Sequence, residues 1–275
     1  MNNVDLEKKY IENRNGKVFY FSDISFPGRP TLIFIHGLSS NHTTWTGIIN
    51  VLHENKYNSI SVDLRGHGFS DKTKDKNLYQ IPVFSEDLKK IVDKEKIEKP
   101  ILVGYSFGGS ISFDYAAKYP EFLGGLIVLG ANHANPLEYR GLGFITRIGI
   151  WIVEQLANLL LWQERKEYHY YQHGKAAGYW DSVLDGLRTM PISVNLWLIT
   201  QTVSFDFRDV IGKIKVPALL IYSGHDPFIT KKEIGEVKEK LPDAKIIFSK
   251  TNSHFVGTNS QEEVTEEILE FLRNI

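Results

Sequence analysis

Short apolar runs recur along the first 130 residues at the spacing of a parallel sheet, and this rhythm limits the fold more than any other feature of the sequence. Thr31–Ile35, Ser59–Val62, Ile101–Gly104 and Gly125–Leu129 read as core strands, with Lys17–Phe21 before them. Between them, Asn41–His53, Pro82–Lys96 and Phe107–Lys118 carry helical patterns, and Arg65–Asn77 reads as loop. Continuous apolar strands alternating with helices imply right-handed βαβ units and a mostly parallel central sheet flanked by helices. From about Asn132 to Arg208 the rhythm stops, and only helical pattern rich in Trp and Tyr is visible. It resumes with strand Ala218–Tyr222, helix Lys231–Leu241, strand Lys245–Phe248 and helix Gln261–Arg273. The expected organisation is therefore one α/β core, residues 1–131 and 209–275, with an all-helical insertion at 132–208. At 275 residues the chain buries a sizeable core without disulfides or metals.

Composition narrows the chemistry. Thirty-two Lys and Arg against thirty-three Asp and Glu leave a net charge of −1, so no global field draws the chain to nucleic acid or an anionic surface. Cysteine is absent, which removes disulfides, thiolate metal ligands and a cysteine nucleophile. The polar start, Met1–Tyr10, has no apolar run of the signal-peptide kind, and a cytoplasmic location is expected. Gly141–Trp162 is long enough to span a bilayer but carries Arg147, Glu154, Gln155 and Asn158. It reads instead as an amphipathic helix, with Arg147, Glu154 and Asn158 toward water and Ile148, Ile152 and Leu159 toward a substrate pocket. No stable membrane insertion is expected. His169 and His173 share a helix face but lack the H-E-x-x-H pattern, no G-x-G-x-x-G or Walker motif occurs, and neither metal nor cofactor is expected.

Gly104-Tyr-Ser106-Phe-Gly108 falls between the strand Ile101-Leu-Val103 and the helix that follows, the context in which G-x-S-x-G holds a serine hydroxyl out on a tight turn. A serine needs a base, and the base needs a group to hold it. Asp226, in Ser223-Gly-His-Asp-Pro227, and His254, in Thr251-Asn-Ser-His-Phe255, both follow carboxyl ends of strands, where open α/β sheets place their sites. Asp206 and Asp209 are the spare acids, and His225 adjoins Asp226 too closely to turn back on it as base. His36-Gly37-Leu38 follows strand Thr31–Ile35, so the N–H groups of Leu38 and Phe107 are the expected oxyanion donors. His36 is expected to brace that turn. His133, after the fourth strand, lines the pocket or serves as a hinge to the insertion.

Taken together, His36-Gly37, Asp63-Leu-Arg-Gly-His-Gly-Phe-Ser70, Gly104-Tyr-Ser-Phe-Gly-Gly109, Gly224-His-Asp-Pro227 and the late His254 resemble the α/β-hydrolase family over nearly the whole chain. The resemblance implies Ser106 as nucleophile, Asp226 as orienting acid, His254 as base and the insertion as a lid. It also assigns Arg65 and His67 to a loop that braces the fold. An apolar, aromatic lid that includes Trp151, Trp162, Tyr168, Tyr170, Tyr171, Tyr179, Trp180 and Trp197 suits a small-molecule ester with a lipophilic or aromatic acyl group. Relatives that act on epoxides or haloalkanes carry Asp at the position of Ser106. Three alternatives remain. One is a carbon–carbon hydrolase of ring-fission diketones, with Arg188 or Arg147 holding a carboxylate. The others are a perhydrolase and a slow-turnover small-molecule receptor of the same fold. The sequence does not determine the oligomeric state.

Overall fold

The computed structural model describes residues 4–160, 184, 186, 188–251, 254 and 260–275. Eight strands form one sheet: β1 (Glu7–Asn13), β2 (Gly16–Asp23), β3 (Thr31–Ile35), β4 (Asn58–Val62), β5 (Ile101–Tyr105), β6 (Gly125–Leu129), β7 (Ala218–Ser223) and β8 (Lys245–Ser249). Their order is β1-β2-β4-β3-β5-β6-β7-β8. All pairs from β4 to β8 are parallel, and β1 and β2 add an antiparallel hairpin to one edge. The mostly parallel sheet of the sequence reading is present.

Strand β1 was not expected. Glu7-Lys-Lys-Tyr-Ile-Glu-Asn13 is charge-rich because it is an edge strand, with Ile11 and Asn13 alone turned fully inward. Its turn is a two-residue hairpin, Asn13 pairing with Gly16, and Arg14 and Asn15 take φ of 47° and 58°. That is the type I′ geometry matching strand twist.

The period of two divides each central strand between two cores. On one face Ile33, Ile35, Leu102, Leu126, Val128 and Leu220 meet α2 (Ile81–Lys94) and α3 (Phe107–Lys118). On the other, Leu32, Phe34, Val103, Ile127, Leu129 and Leu219 meet α1 (Thr46–Glu54) and the C-terminal helix. Both faces are dry, which is why these strands read as unbroken apolar runs.

Between β6 and β7 the described residues form α4 (Pro136–Tyr139), α5 (Thr146–Leu159), α6 (Ile192–Gln201) and α7 (Arg208–Ile211); α8 (Lys231–Lys240) and α9 (Gln261–Arg273) complete the chain. Ala134 and Asp206 form an antiparallel bridge, and the Phe207 N–H donates to the His133 carbonyl at 2.8 Å. The excursion thus leaves and rejoins the core at one point.

The orientation expected for α5 is corrected by the structure. Thr146 and Ala157 are buried and Ile150 and Val153 half-buried, so this stripe packs inward, with α6 as neighbour. Ile148, Ile152 and Leu159 are exposed on the outer side, at 62%, 46% and 79%. Glu154, expected to face open water, pairs with Lys76 at 3.3 Å. The helix is apolar on most of its circumference, so periodicity did not identify the inner face. Close approach to α6 selects the stripe containing the small residues Thr146 and Ala157. With 14 residues α5 is about 21 Å long, shorter than a bilayer core. Among the described residues no helix is long and apolar enough to cross a membrane. Trp162, Tyr168, His169, Tyr170, Tyr171, His173, Tyr179, Trp180 and Phe255 lie outside the described residues.

Candidate active site

Strand β5 ends at Tyr105 and α3 begins at Phe107, so Ser106 alone makes the turn between them. It does so at φ 50° and ψ −115°, in the left-handed half of the map where side chains are strained. Two glycines make room for it. A Cβ on Gly104 would lie 2.5 Å from the Gly108 carbonyl oxygen, and one on Gly108 would lie 2.1 Å from that of Ile35. Without those side chains the start of α3 sits directly on β3 and β5, and the Ser106 side chain is left half-exposed at the carboxyl edge of the sheet.

Asp226 and His254 arrive at the same edge after β7 and β8. The Asp226 carboxylate, 2% exposed in its side chain, accepts from His254 Nδ1 at 2.7 Å. A carboxylate only accepts, so the Nδ1 proton is fixed there and Nε2 is left as acceptor. Ser106 Oγ lies 2.9 Å from that Nε2. The structure therefore brings together the three residues singled out in the sequence as nucleophile, base and acid. The spare acids stand elsewhere: Asp206 is exposed and paired with Arg208, and Asp209 is exposed. His225 is exposed beside Asp226.

Three contacts around His254 were not anticipated. The Phe228 ring meets it edge-on at 4.9 Å, the Tyr105 hydroxyl donates to its carbonyl at 3.4 Å, and the Phe228 N–H donates to Asp226 Oδ1 at 2.8 Å. Asp-Pro before Phe228 marks a turn, which is the one local signal the sequence offered.

Of the two expected oxyanion donors, Phe107 directly follows the serine, and Leu38 follows Gly37, where an added Cβ would lie 3.4 Å from that of Ser106. Phe107 opens α3, where the first N–H groups have no acceptor within the helix and the helix dipole favours negative charge. Leu38 follows β3 in the turn closed by the Ser40 N–H to the Gly37 carbonyl at 3.3 Å. This turn is braced from three sides. His36, fully buried, accepts the Leu64 N–H at Nε2 (3.1 Å) and donates from Nδ1 to the Gly37 carbonyl (2.7 Å). Burial pushes its pKa down to about 4, so it is a neutral bracket. His67, also held well below its ordinary range by burial, accepts the Ser39 N–H at 3.2 Å. From α6, Asn195 accepts from the Ser39 hydroxyl at 3.0 Å, which places that helix against the turn that carries Leu38.

Arg65 and His67 brace the fold, as expected of them. The Arg65 guanidinium grips Asp87 through two hydrogen bonds of 2.6 and 2.8 Å and donates to the Asn13 carbonyl at 2.7 Å, 2% exposed. Burial raises the Asp63 carboxyl, but His42 at 2.8 Å and the Phe69 N–H outweigh it and hold the group well below the usual range.

His133 is corrected as a pocket residue. It is 1% exposed and turned toward α4 and α8, with Tyr139 Oη 3.1 Å from Nε2 and Glu233 3.4 Å from Nδ1. It stands beside the point where the chain leaves and rejoins the sheet, its carbonyl accepting the Phe207 N–H. Among the described residues no group of three or more His, Asp or Glu gathers as a metal site would require.

Comparison with known proteins agrees with this architecture. Residues 30–143 match the family model described as alpha/beta hydrolase fold. The AB hydrolase superfamily protein YfhM of Bacillus subtilis is 21% identical over 98% of this chain and 100% of its own length. Epoxide hydrolase 4 of Mus musculus is 29% identical over 44% of this chain, which spans only 33% of that relative. Among solved structures, the esterase of Exiguobacterium antarcticum superposes with a TM-score of 0.72 at 18% identity, covering 97% of this chain and 100% of its own. The fold is that of the α/β hydrolases, and residues 30–143 are similar to the model of that family.

Proposed function

We propose that the protein is a serine hydrolase that cleaves carboxylic esters with lipophilic or aromatic acyl groups through an acyl-enzyme. One observation carries the reading: Ser106, on its strained turn, is in hydrogen-bond reach of His254 Nε2 while Asp226 holds the opposite nitrogen. In the first half-reaction Ser106 Oγ attacks the ester carbonyl as its proton passes to His254 Nε2. The carbonyl oxygen takes the negative charge, facing the N–H groups of Leu38 and Phe107. Collapse expels the alkoxide, which leaves as alcohol with the proton from His254. Water repeats the sequence on the acyl-serine and releases the acid. Asp226 fixes the imidazole tautomer and stabilises the imidazolium without itself taking the proton. The murine epoxide hydrolase relative does not redirect this reading, because Ser rather than Asp occupies the nucleophile turn.

In this reading residues 132–208 form a lid over a core of residues 1–131 and 209–275. The hydrogen bond from the Ser39 hydroxyl to Asn195 supports it, since Ser39 follows the oxyanion donor Leu38. The apolar and aromatic composition of the insertion favours an apolar acyl group. The experiment is fluorophosphonate labelling followed by p-nitrophenyl esters of increasing acyl length. Ser106→Ala is expected to lose both label and turnover with the fold intact. The specificity constant is expected to rise nearly fourfold per methylene, about 0.8 kcal/mol each, until the pocket is full. A label on another serine removes the assignment. A flat chain-length series removes the lipophilic-ester reading, and preference for a carboxylated diketone replaces it with carbon–carbon hydrolysis.

A further inference from the structure

Behind the turn that carries Asp226 lies a polar bracket with no part in the steps above. Asn132 stands where the chain has just left β6. Its side-chain amide donates to both carboxylate oxygens of Glu233, at 3.1 and 2.9 Å, and to the Phe228 carbonyl at 3.2 Å. Glu233, in the first turn of α8, is 1% exposed. It also accepts the His133 N–H at 3.2 Å, and its own N–H is capped by Thr230 Oγ1 at 3.2 Å. A carboxylate taken out of water costs free energy unless fixed donors meet it, so these contacts set its position tightly. Phe228 carries that position to the site: its N–H holds Asp226 Oδ1 and its ring edges onto His254. On the other side, the Asn132 carbonyl accepts from Ser110 Oγ at 3.4 Å, one turn into the helix that Ser106 opens.

We propose that Asn132 is a positioning residue: through the Phe228 carbonyl, with Glu233 as buried anchor, it holds the Asp226 turn at the place where the carboxylate meets His254 Nδ1. The inference rests on the triad reading given above. A bracket that only supported packing would cost stability and leave turnover per folded molecule unchanged.

The test uses Asn132→Ala and Glu233→Gln in the full chain, each alone and combined with Asp226→Asn. With p-nitrophenyl acetate and active-site-titrated protein, either single variant is expected to lower kcat about 10²-fold with KM little changed, the scale of a small misplacement of reacting groups. In the Asp226→Asn background the same substitution is expected to add almost nothing, because both act through one carboxylate. Proton NMR supplies a readout that needs no substrate: the His254 imidazole N–H resonance should shift or broaden in Asn132→Ala. Equal losses in both backgrounds, unchanged kcat with a lower Tm, or an unmoved His254 resonance overturns the proposal. Should Asn132→Ala fail to fold, Glu233→Gln, which keeps the shape of its side chain, is judged by the same outcomes. Absence of any turnover in the wild type would defeat the triad reading, and the NMR comparison would still decide the bracket.

Discussion

A serine held at φ 50° costs on the order of 1–3 kcal/mol, and the surroundings keep it there: the Ser106 N–H is tied to the Leu129 carbonyl at 2.9 Å, and Gly104 and Gly108 leave the turn no other room. The strain serves no packing purpose but presents the hydroxyl to His254. In the proposed reaction Asp226 holds a tautomer, so Asp226→Asn is expected to lower kcat by about 10⁴, the loss seen in the comparable protease triad. Steady-state kinetics on a short-chain ester checks it; near-wild-type turnover with a crippled Asp206→Asn would move the acid to Asp206. Ser106, Asp226 and His254 were legible in the sequence because each follows a strand's carboxyl end, and topology alone delivers those ends to one edge. Asn132, Tyr105 and Phe228 were not. Their roles come from contacts between segments far apart in the chain, such as Asn132 with Phe228 and Glu233, and no spacing rule encodes such meetings.

At the scale of elements, strands β3 to β7 were readable because burial on both faces leaves a continuous apolar signature. Edge strand β1 escaped because its side chains answer to water, and only its alternation with the Asn15-Gly16 turn marked it. Helix α5 shows a different limit. A helix apolar nearly all round has a legible type but an illegible rotation, and the inner stripe is chosen by fit to a neighbour. The orientation makes a sharp expectation. Ile152→Gln, at an exposed position, should change stability by no more than about 0.5 kcal/mol. Ala157→Leu, at 1% exposure against α6, should cost about 1–3 kcal/mol through overpacking. Urea unfolding of the two variants decides it, and the reverse ranking would mean that the helix is turned the other way.

For the molecule as a whole, the buried histidines couple stability to acidity. His36 binds a proton near pH 6.5 when unfolded but only near 4 when buried, and His67 is lowered in the same sense. Between those values the unfolded chain holds more protons, so stability is full above about pH 6.5, falls as the pH drops, and stops falling from this source below about 4. Thermal unfolding across that range should show the slope, and His36→Gln, if it folds, should make it shallower. A Tm independent of pH between 4 and 6.5 would contradict the buried neutral state. The meeting of Ala134 with Asp206 has a consequence of a different kind. Because the chain departs and returns as a bonded pair, β6 and β7 reach adjacent slots whatever lies beyond that pair. The excursion is an interchangeable attachment with a single splice point. Descent can lengthen, shorten or replace it without renegotiating the sheet, and a designer grafting a foreign loop onto this scaffold would cut at the same two residues.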